Sequence, residues 1–566
     1  MKAFIRIIIF LWCIPMAYSQ TDWEKKLEHN TFCNPVKIPM YLSGNFCELR
    51  SNHFHGGLDI KTKGVEGHDL HSIEEGYVSR IKISAYGYGY ALYIHHPKSG
   101  VTSVYAHMKS FSPKIKSYIQ NIQKQKQKNS IDHSLTPNEI PVNRDEIIGL
   151  SGNSGGSIAP HLHFELRDSK NQHPINPMYA FDIHDSIKPI IQELMVYDLS
   201  TERQSDILNR KKVKPKLLSP GKYTLQDTLL TSPNIGFGLK TYDQASGARN
   251  KNGVYSISFY IDNELVWEIV MDEYSYSETR YLNSLIDYSY FKKHKQRFVK
   301  LYKDPNNKLN MFTALKDDGQ FKFEAHKTYY AKIICKDIKG NISLLDWHFT
   351  TSEPYLKSIP KGNYTINYNE DLALNHNDLE VSFSAKSLYT SLDFNIDYTP
   401  EDPIPSFQLS PEYTPIHQRI NVKVECPDTF KAIIEKVCIV NVLGKRKSWI
   451  KPVVNRLNLD FNTRNFGLFT FDVDQDNPYA VFPNLKENQN ASKHKRITIK
   501  AYDLQSGIKS YKAKIDGNWV ILEYDPKKRS FYHYFENEPD GQNHSIEFEI
   551  IDICSNKNII KRNFVR

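Results

Sequence analysis

A chain of 566 residues is too long for one hydrophobic core and calls for roughly three to five domains of ~100–200 residues each. Its 73 basic and 64 acidic residues are interspersed, so the net charge of +9 suits attraction to an anionic surface and argues against a concentrated nucleic-acid patch. Aromatic content of 12%, with 35 Tyr and 29 Phe, favours strand-rich modules over helical bundles, because aromatic rings pack well on pleated surfaces.

The chain opens with basic Met1 to Arg6, an apolar run from Ile7 to Ala17 and the small-x-small pattern Ala17-Tyr18-Ser19. This predicts a secretory signal peptide over residues 1–19, with delivery to the periplasm or cell envelope. A membrane anchor would need about 20 apolar residues, and bulky Trp12 before Cys13 argues against a lipoprotein signal. Cleavage removes Lys2 and Arg6 and leaves a mildly basic chain with Cys33, Cys47, Cys335, Cys426, Cys438 and Cys554. An even number permits disulfides, but no spacing selects a pairing.

His55 and Asp59 lie four apart, which on a straight strand is about 13 Å. Gly56-Gly57 between them predicts a sharp turn that brings them together. Short strands follow over 75–83, 91–96 and 101–107, the last ending in His107 on the face of Tyr105. His95 and His96 point to opposite faces and cannot share a site, and His53, His68 and His71 have no evident partner. Residues 109–145 interrupt the strands. Ile115, Tyr118, Ile119 and Ile122 fall at helical spacing, predicting an amphipathic helix that packs on a flank or shields a site. The glycine-rich turn 149–156 lacks the Lys-Ser/Thr pair of a phosphate loop and leads to a strand, so it reads as shaping a groove beside His161.

That strand is His161-Leu162-His163-Phe164-Glu165-Leu166-Arg167. Its two-residue period puts His161, His163 and Glu165 on one face and the apolar residues on the other. Spacing alone leaves open whether both imidazoles hold one ion or one addresses a water.

Taken in order, His55-x-x-x-Asp59, Tyr105-x-His107, Gly149-x-Ser151-Gly152 and His161-Leu162-His163 resemble the lysostaphin-type zinc metallopeptidases over about residues 38–180. The resemblance implies one Zn²⁺ held by His55, Asp59 and His163, with His107 and His161 as catalytic residues beside the open position. It also implies a compact antiparallel β fold of the duplicated hybrid motif type, with a groove. The chemistry it implies is attack of zinc-activated water on a peptide carbonyl, assisted by a histidine acid/base. Which histidine is the base stays open, and Glu165 could orient a ligand or be an ordinary surface carboxylate. The 109–145 insertion departs from the family pattern.

Beyond Pro177 alternating strands dominate, and three landmarks recur in order. Asp185 to Pro189 returns as Asp474 to Pro478, Lys240 to Gly247 as Lys500 to Gly507, and Asp337 to Asn341 as Asp552 to Asn556. They predict two related β-sandwich modules of immunoglobulin type with another β module between them. The expected organisation is signal peptide 1–19, zinc peptidase domain 20–184 and modules at 185–353, 354–473 and 474–566. Acidic turns in these modules are of a kind that can bind calcium, but such turns are common without metal. The modules read better as spacers, or as contacts for the envelope or a regulatory protein partner. The expected function is an exported endopeptidase cleaving peptide cross-links of peptidoglycan. The alternatives are a non-catalytic activator or scaffold for another wall hydrolase and a peptidase acting on a protein.

Overall fold

The computed structural model describes residues 22–28, 32–199, 210–353, 362–400, 405–535 and 541–566. The predicted signal at 1–19 lies outside them, and among the described residues no helix is long and apolar enough to cross a membrane.

The first domain begins with helix α1 (Asp22–Glu28) and strands β1 (Leu42–Gly44), β2 (Leu58–Lys61), β3 (Asp69–His71), β4 (Gly76–Ile83), β5 (Tyr90–His96), β6 (Val101–Ala106) and β7 (Ser110–Phe111). Helix α2 (Pro113–Lys126) follows, then β8 (Ile131–Ser134), β9 (Pro141–Val142), β10 (Ile147–Leu150), β11 (His161–Asp168) and β12 (Pro174–Ile175). The main antiparallel sheet runs β1-β2-β11-β6-β5-β4-β8, and a small second sheet runs β3-β10-β7. Strand β11 sits between β2 and β6, in a register that sets His163 opposite both Asp59 and Ala106. Its Leu162, Phe164 and Leu166 enter a core shared with Leu58, Ile60 and Tyr105. The sequence alternation is thus realised with His161, His163, Glu165 and Arg167 on the other face.

Helix α2 forms where the apolar spacing predicts it, inside the 109–145 insertion. Ile115 and Ile119 are buried in the same core and the helix packs against β7. Its buried face meets the flank, not any of the five predicted site residues.

The rest of the chain forms paired β-sheets with apolar interiors. A five-stranded and an eight-stranded sheet enclose Leu194, Phe237, Ile257, Trp347 and Phe349. Six- and five-stranded sheets enclose Val381, Phe394, Phe407 and Phe469, and four- and five-stranded sheets enclose Ile499, Phe531 and Phe548. The molecule is mainly β throughout. The six described cysteines are unpaired thiols, although Cys438 Sγ and Cys554 Sγ lie 3.2 Å apart across the last two modules.

Candidate active site

Asp59 lies on β2, His163 lies beside it on β11, and His55 lies just before β2. The three can each offer a ligand atom, all within 4.8 Å of one another. His55 Nε2 is 2.9 Å from Asp59 Oδ1 and 3.0 Å from His163 Nδ1, which is itself 3.0 Å from Asp59 Oδ1. Gly56 and Gly57 make this possible for a reason other than the expected flexible turn. Neither has positive φ. A Cβ on Gly57 would stand 2.1 Å from the Phe164 carbonyl oxygen, and one on Gly56 would stand 2.9 Å from Glu165 Oε1. The glycines let the chain lie flat against β11.

The outer nitrogen of each imidazole faces an acceptor that cannot donate, so each ring donates outward and turns its other nitrogen toward the cluster. His55 Nδ1 donates to the Asn45 carbonyl at 2.7 Å, leaving Nε2 bare toward Asp59. His163 Nε2 donates to Glu165 Oε1 at 2.9 Å, with Nδ1 turned inward to Asp59 Oδ1. His107 Nδ1 donates to the Ser154 carbonyl at 2.9 Å, and His161 Nδ1 to that of Ala159 at 2.9 Å. His161 Nε2 is 3.3 Å from Asp59 Oδ1, and the His107 and His161 rings are 4.9 Å apart. The five predicted residues therefore converge.

His107 reaches this cluster by a route that strand alternation misjudges. Strand β6 ends at Ala106, and Tyr105 is buried in the core with its hydroxyl donating to the His71 carbonyl. Regular alternation would send His107 into that core. Instead His107 has φ +58°, a left-handed conformation that turns it to the face of His163. The 149–156 turn receives it. Gly155, at φ +69°, lies so close to Gly87 and Gly89 that any Cβ there would clash at 2.4 Å. The Gly-Tyr segment after β4 thus locks the loop whose Ser154, Ser157 and Ala159 oxygens face the two catalytic candidates.

Electrostatics follows from burial and these contacts. Burial opposes charge on Asp59, but the surrounding His55, His161 and His163 hold it well below the usual carboxylate range. Burial also opposes charge on His163, yet Asp59 and Glu165 outweigh it and raise the imidazole to about 9. Burial, then His163 and His161, push His107 down to about 3, so it is a neutral imidazole at pH 7. Burial lowers His55 as well, against the pull of Asp59.

Glu165 is fully buried, which removes the surface-carboxylate reading. Besides His163 it accepts from Arg167 Nε at 2.7 Å, from the Tyr88 hydroxyl and from the Tyr276 hydroxyl at 3.0 Å. Arg167 Nη2 donates to the same Tyr276 oxygen at 2.9 Å. Arg50 Nη2 grips Asp59 Oδ2 at 2.8 Å. These supporting residues were not singled out from sequence. Arg167 was findable, since it continues the two-residue period of His163 and Glu165. Asn45 and Arg50 carry no distinguishing pattern, and Tyr276 lies in another module.

Comparison with known proteins gives a consistent picture. Residues 363–476 match the Zu5-like domain model. The DD-carboxypeptidase/endopeptidase Mpg proteins of Neisseria meningitidis serogroup B and Neisseria gonorrhoeae are 31% identical over 130 residues, which is 23% of this chain and 23% of each relative. The chain thus spans about a quarter of the length of the curated relatives it matches. Among solved structures, the lysostaphin catalytic domain of Staphylococcus simulans aligns at 21% identity, covering 24% of this chain and 86% of that one with a TM-score of 0.18. The catalytic domain of the prophage-encoded protein EnpA from Enterococcus faecalis aligns at 22%, covering 26% and 92%, also at 0.18. In its motif order, and over the 130 residues shared with the Mpg proteins, the first domain is similar to the lysostaphin-type peptidoglycan peptidases.

Proposed function

We propose that this protein is an exported, zinc-dependent endopeptidase that hydrolyses peptide cross-links of bacterial peptidoglycan. The observation that carries the reading is the inward convergence of His55 Nε2, His163 Nδ1 and Asp59 Oδ1, with both rings' outer nitrogens engaged by acceptors. Two imidazoles and one carboxylate suit zinc, and second partners such as Glu165 and the Asn45 carbonyl are what a ligating histidine needs for orientation. When bound, zinc supplies a Lewis acid that polarises a carbonyl and acidifies water.

The remaining work falls to the chain. His107 and His161 each present Nε2 from a ring whose Nδ1–H faces a carbonyl, so each can take a proton at that atom and return it to a leaving amine. In its protonated form either ring can donate a hydrogen bond to a developing oxyanion. Arg50 and Glu165 do not touch substrate in this scheme; they hold Asp59 and His163 in position.

The test is digestion of purified sacculi by the mature protein, with and without chelator, alongside metal analysis. His163→Ala is expected to lose zinc and activity together, whereas His107→Ala keeps zinc and loses at least about 100-fold in rate. Equal zinc loss in both variants would overturn the division of roles. If zinc-loaded wild type releases no new peptide ends, the cross-link reading fails and the activator or protein-substrate alternative takes its place.

A further inference from the structure

We propose that the module following the first domain holds a calcium ion at Asp185, Asp243 and Asp337, with Asn252 supplying a neutral oxygen. The three carboxylates each offer a ligand atom within 4.8 Å of the others. Asp185 lies on the segment that enters the module, Asp243 just past the strand Asn234–Tyr242, and Asp337 just past the strand Thr328–Lys336. Among the described residues none of the three forms an ion pair.

A carboxylate cluster alone would say little, since exposed acidic turns are ordinary. This one contains buried acceptors with nothing to accept. Asp243 is 5% exposed, and its Oδ1 has no hydrogen-bond partner. Asn252 is 3% exposed, and its Oδ1 has none either. The two residues exchange both backbone hydrogen bonds, at 2.9 and 2.8 Å, so their side chains stand on the same face as direct neighbours. A buried acceptor left unmatched loses its hydration with nothing in return, and two side by side beside two further carboxylates call for a cation.

The neighbouring hydrogen bonds organise the carboxylates without neutralising them. Ser246 donates N–H and hydroxyl to Asp185 Oδ1, each at 3.1 Å, and Asn341 binds Asp337 through its backbone N–H at 2.8 Å and its amide at 2.7 Å. Burial and the neighbouring carboxylates of Asp337 and Asp185 oppose charge on Asp243 when no counterion is present. The donor set is all oxygen, with no imidazole or thiolate, which suits a hard cation of flexible coordination and not zinc.

The same arrangement occurs again where the last module begins. Asp474, Asp503 and Asp552 converge within 4.8 Å, Ser506 N–H donates to Asp474 Oδ2, and Asn556 binds Asp552 as Asn341 binds Asp337. There the Ser506 hydroxyl, in a residue 7% exposed, is the buried group without a partner. In each copy the entering segment is tied to two strand ends, so a bound ion would fix the module against what precedes it. This is independent of the peptidase reading.

Calcium uptake by the zinc-loaded mature protein, measured by equilibrium dialysis in calcium-depleted buffer, tests the proposal. Wild type is expected to bind calcium saturably and to gain Tm with it. Asp243→Asn is expected to lose one equivalent and to gain less Tm. In calcium-free buffer Asp243→Asn should melt at or above the wild-type temperature, because it replaces a buried acid crowded by two carboxylates with a neutral amide; that also shows it folds. No uptake up to about 1 mM calcium, the weak end of protein calcium sites, would overturn the site. So would unchanged stoichiometry in Asp243→Asn, or a calcium-free Tm well below wild type, which would mean that the protein alone satisfies the carboxylate. Equal uptake of magnesium would overturn the assignment to calcium.

Discussion

The first domain is held by two other modules in different ways. Toward the module after it, Phe46, Cys47 and Phe54 leave their own domain's core and join that of the neighbour, where Tyr274 packs against both phenyl rings at 5.8 and 5.5 Å. Polar bonds reinforce the join. The Tyr274 hydroxyl donates to the Phe54 carbonyl at 3.1 Å, and the Asn45 side chain donates to and accepts from the Gly253 backbone. Toward the last module no core is shared. Lys527 donates to the carbonyls of Asn153 and Ser157, Leu522 N–H to Asn129 Oδ1, and the Tyr86 and Tyr524 rings meet edge-on at 6.4 Å. Two clefts of about 280 and 370 Å³ remain along this seam. One neighbour shares a core and reaches the site; the other rests on its rim.

The first way to break the contrast is Tyr274→Ala. Removing a buried aromatic from a shared core should cost about 3–5 kcal/mol, read by denaturant unfolding, and should reduce zinc retention because Phe54 directly precedes His55. A loss below about 1 kcal/mol would show the two domains to be merely adjacent.

Tyr276→Phe separates chemistry from packing. It keeps the ring and removes only the hydroxyl that serves Glu165 and Arg167. Loss of such an orienting partner typically costs 10–100-fold in metal affinity or activity, while Tm should stay close to wild type. Zinc affinity unchanged in this variant would make the module a purely mechanical support. On the opposite seam, Lys527→Ala removes bonds from an exposed lysine to two loop carbonyls and should cost less than about 1 kcal/mol. Turnover should change less than twofold, and a large change either way would make the last module a regulator of the loop that holds His107.

How much of this was readable from the chain depends on whether local pattern or distant packing decides each feature. The β11 alternation, helix α2 and the five converging site residues follow from periods of two and 3.6 and from motif order. The direction of His107 does not, because one positive φ reverses what alternation implies. The role of Gly56-Gly57 was assigned to flexibility, whereas the requirement is closeness to β11, a strand more than 100 residues away. Tyr276 was invisible for the same reason: it lies 111 residues from the carboxylate it serves. The repeated Asp landmarks were visible, but their burial and the unmatched oxygens beside them appear only once the chain is folded.

The junction between the second and third domains offers the smallest and most conditional effect. There His417 stacks on Tyr281 with centroids 4.4 Å apart and nearly parallel rings, and its Nδ1 lies 3.2 Å from the Tyr389 hydroxyl. Burial, then the charges of Arg280, Arg464 and Lys308, lower this imidazole to about 4, below its unfolded value near 6.5. The folded junction therefore prefers the neutral ring. Its contribution is fully present above about pH 6.5, declines as the pH falls toward 4 and drops no further below that. Solvent reaches part of the ring, so the effect should be modest. Melting curves between pH 7.5 and 4.5 should show wild type losing more Tm than His417→Gln, which cannot titrate. Parallel curves would mean that acid leaves this junction intact, and that pH sensitivity of the module chain must originate elsewhere.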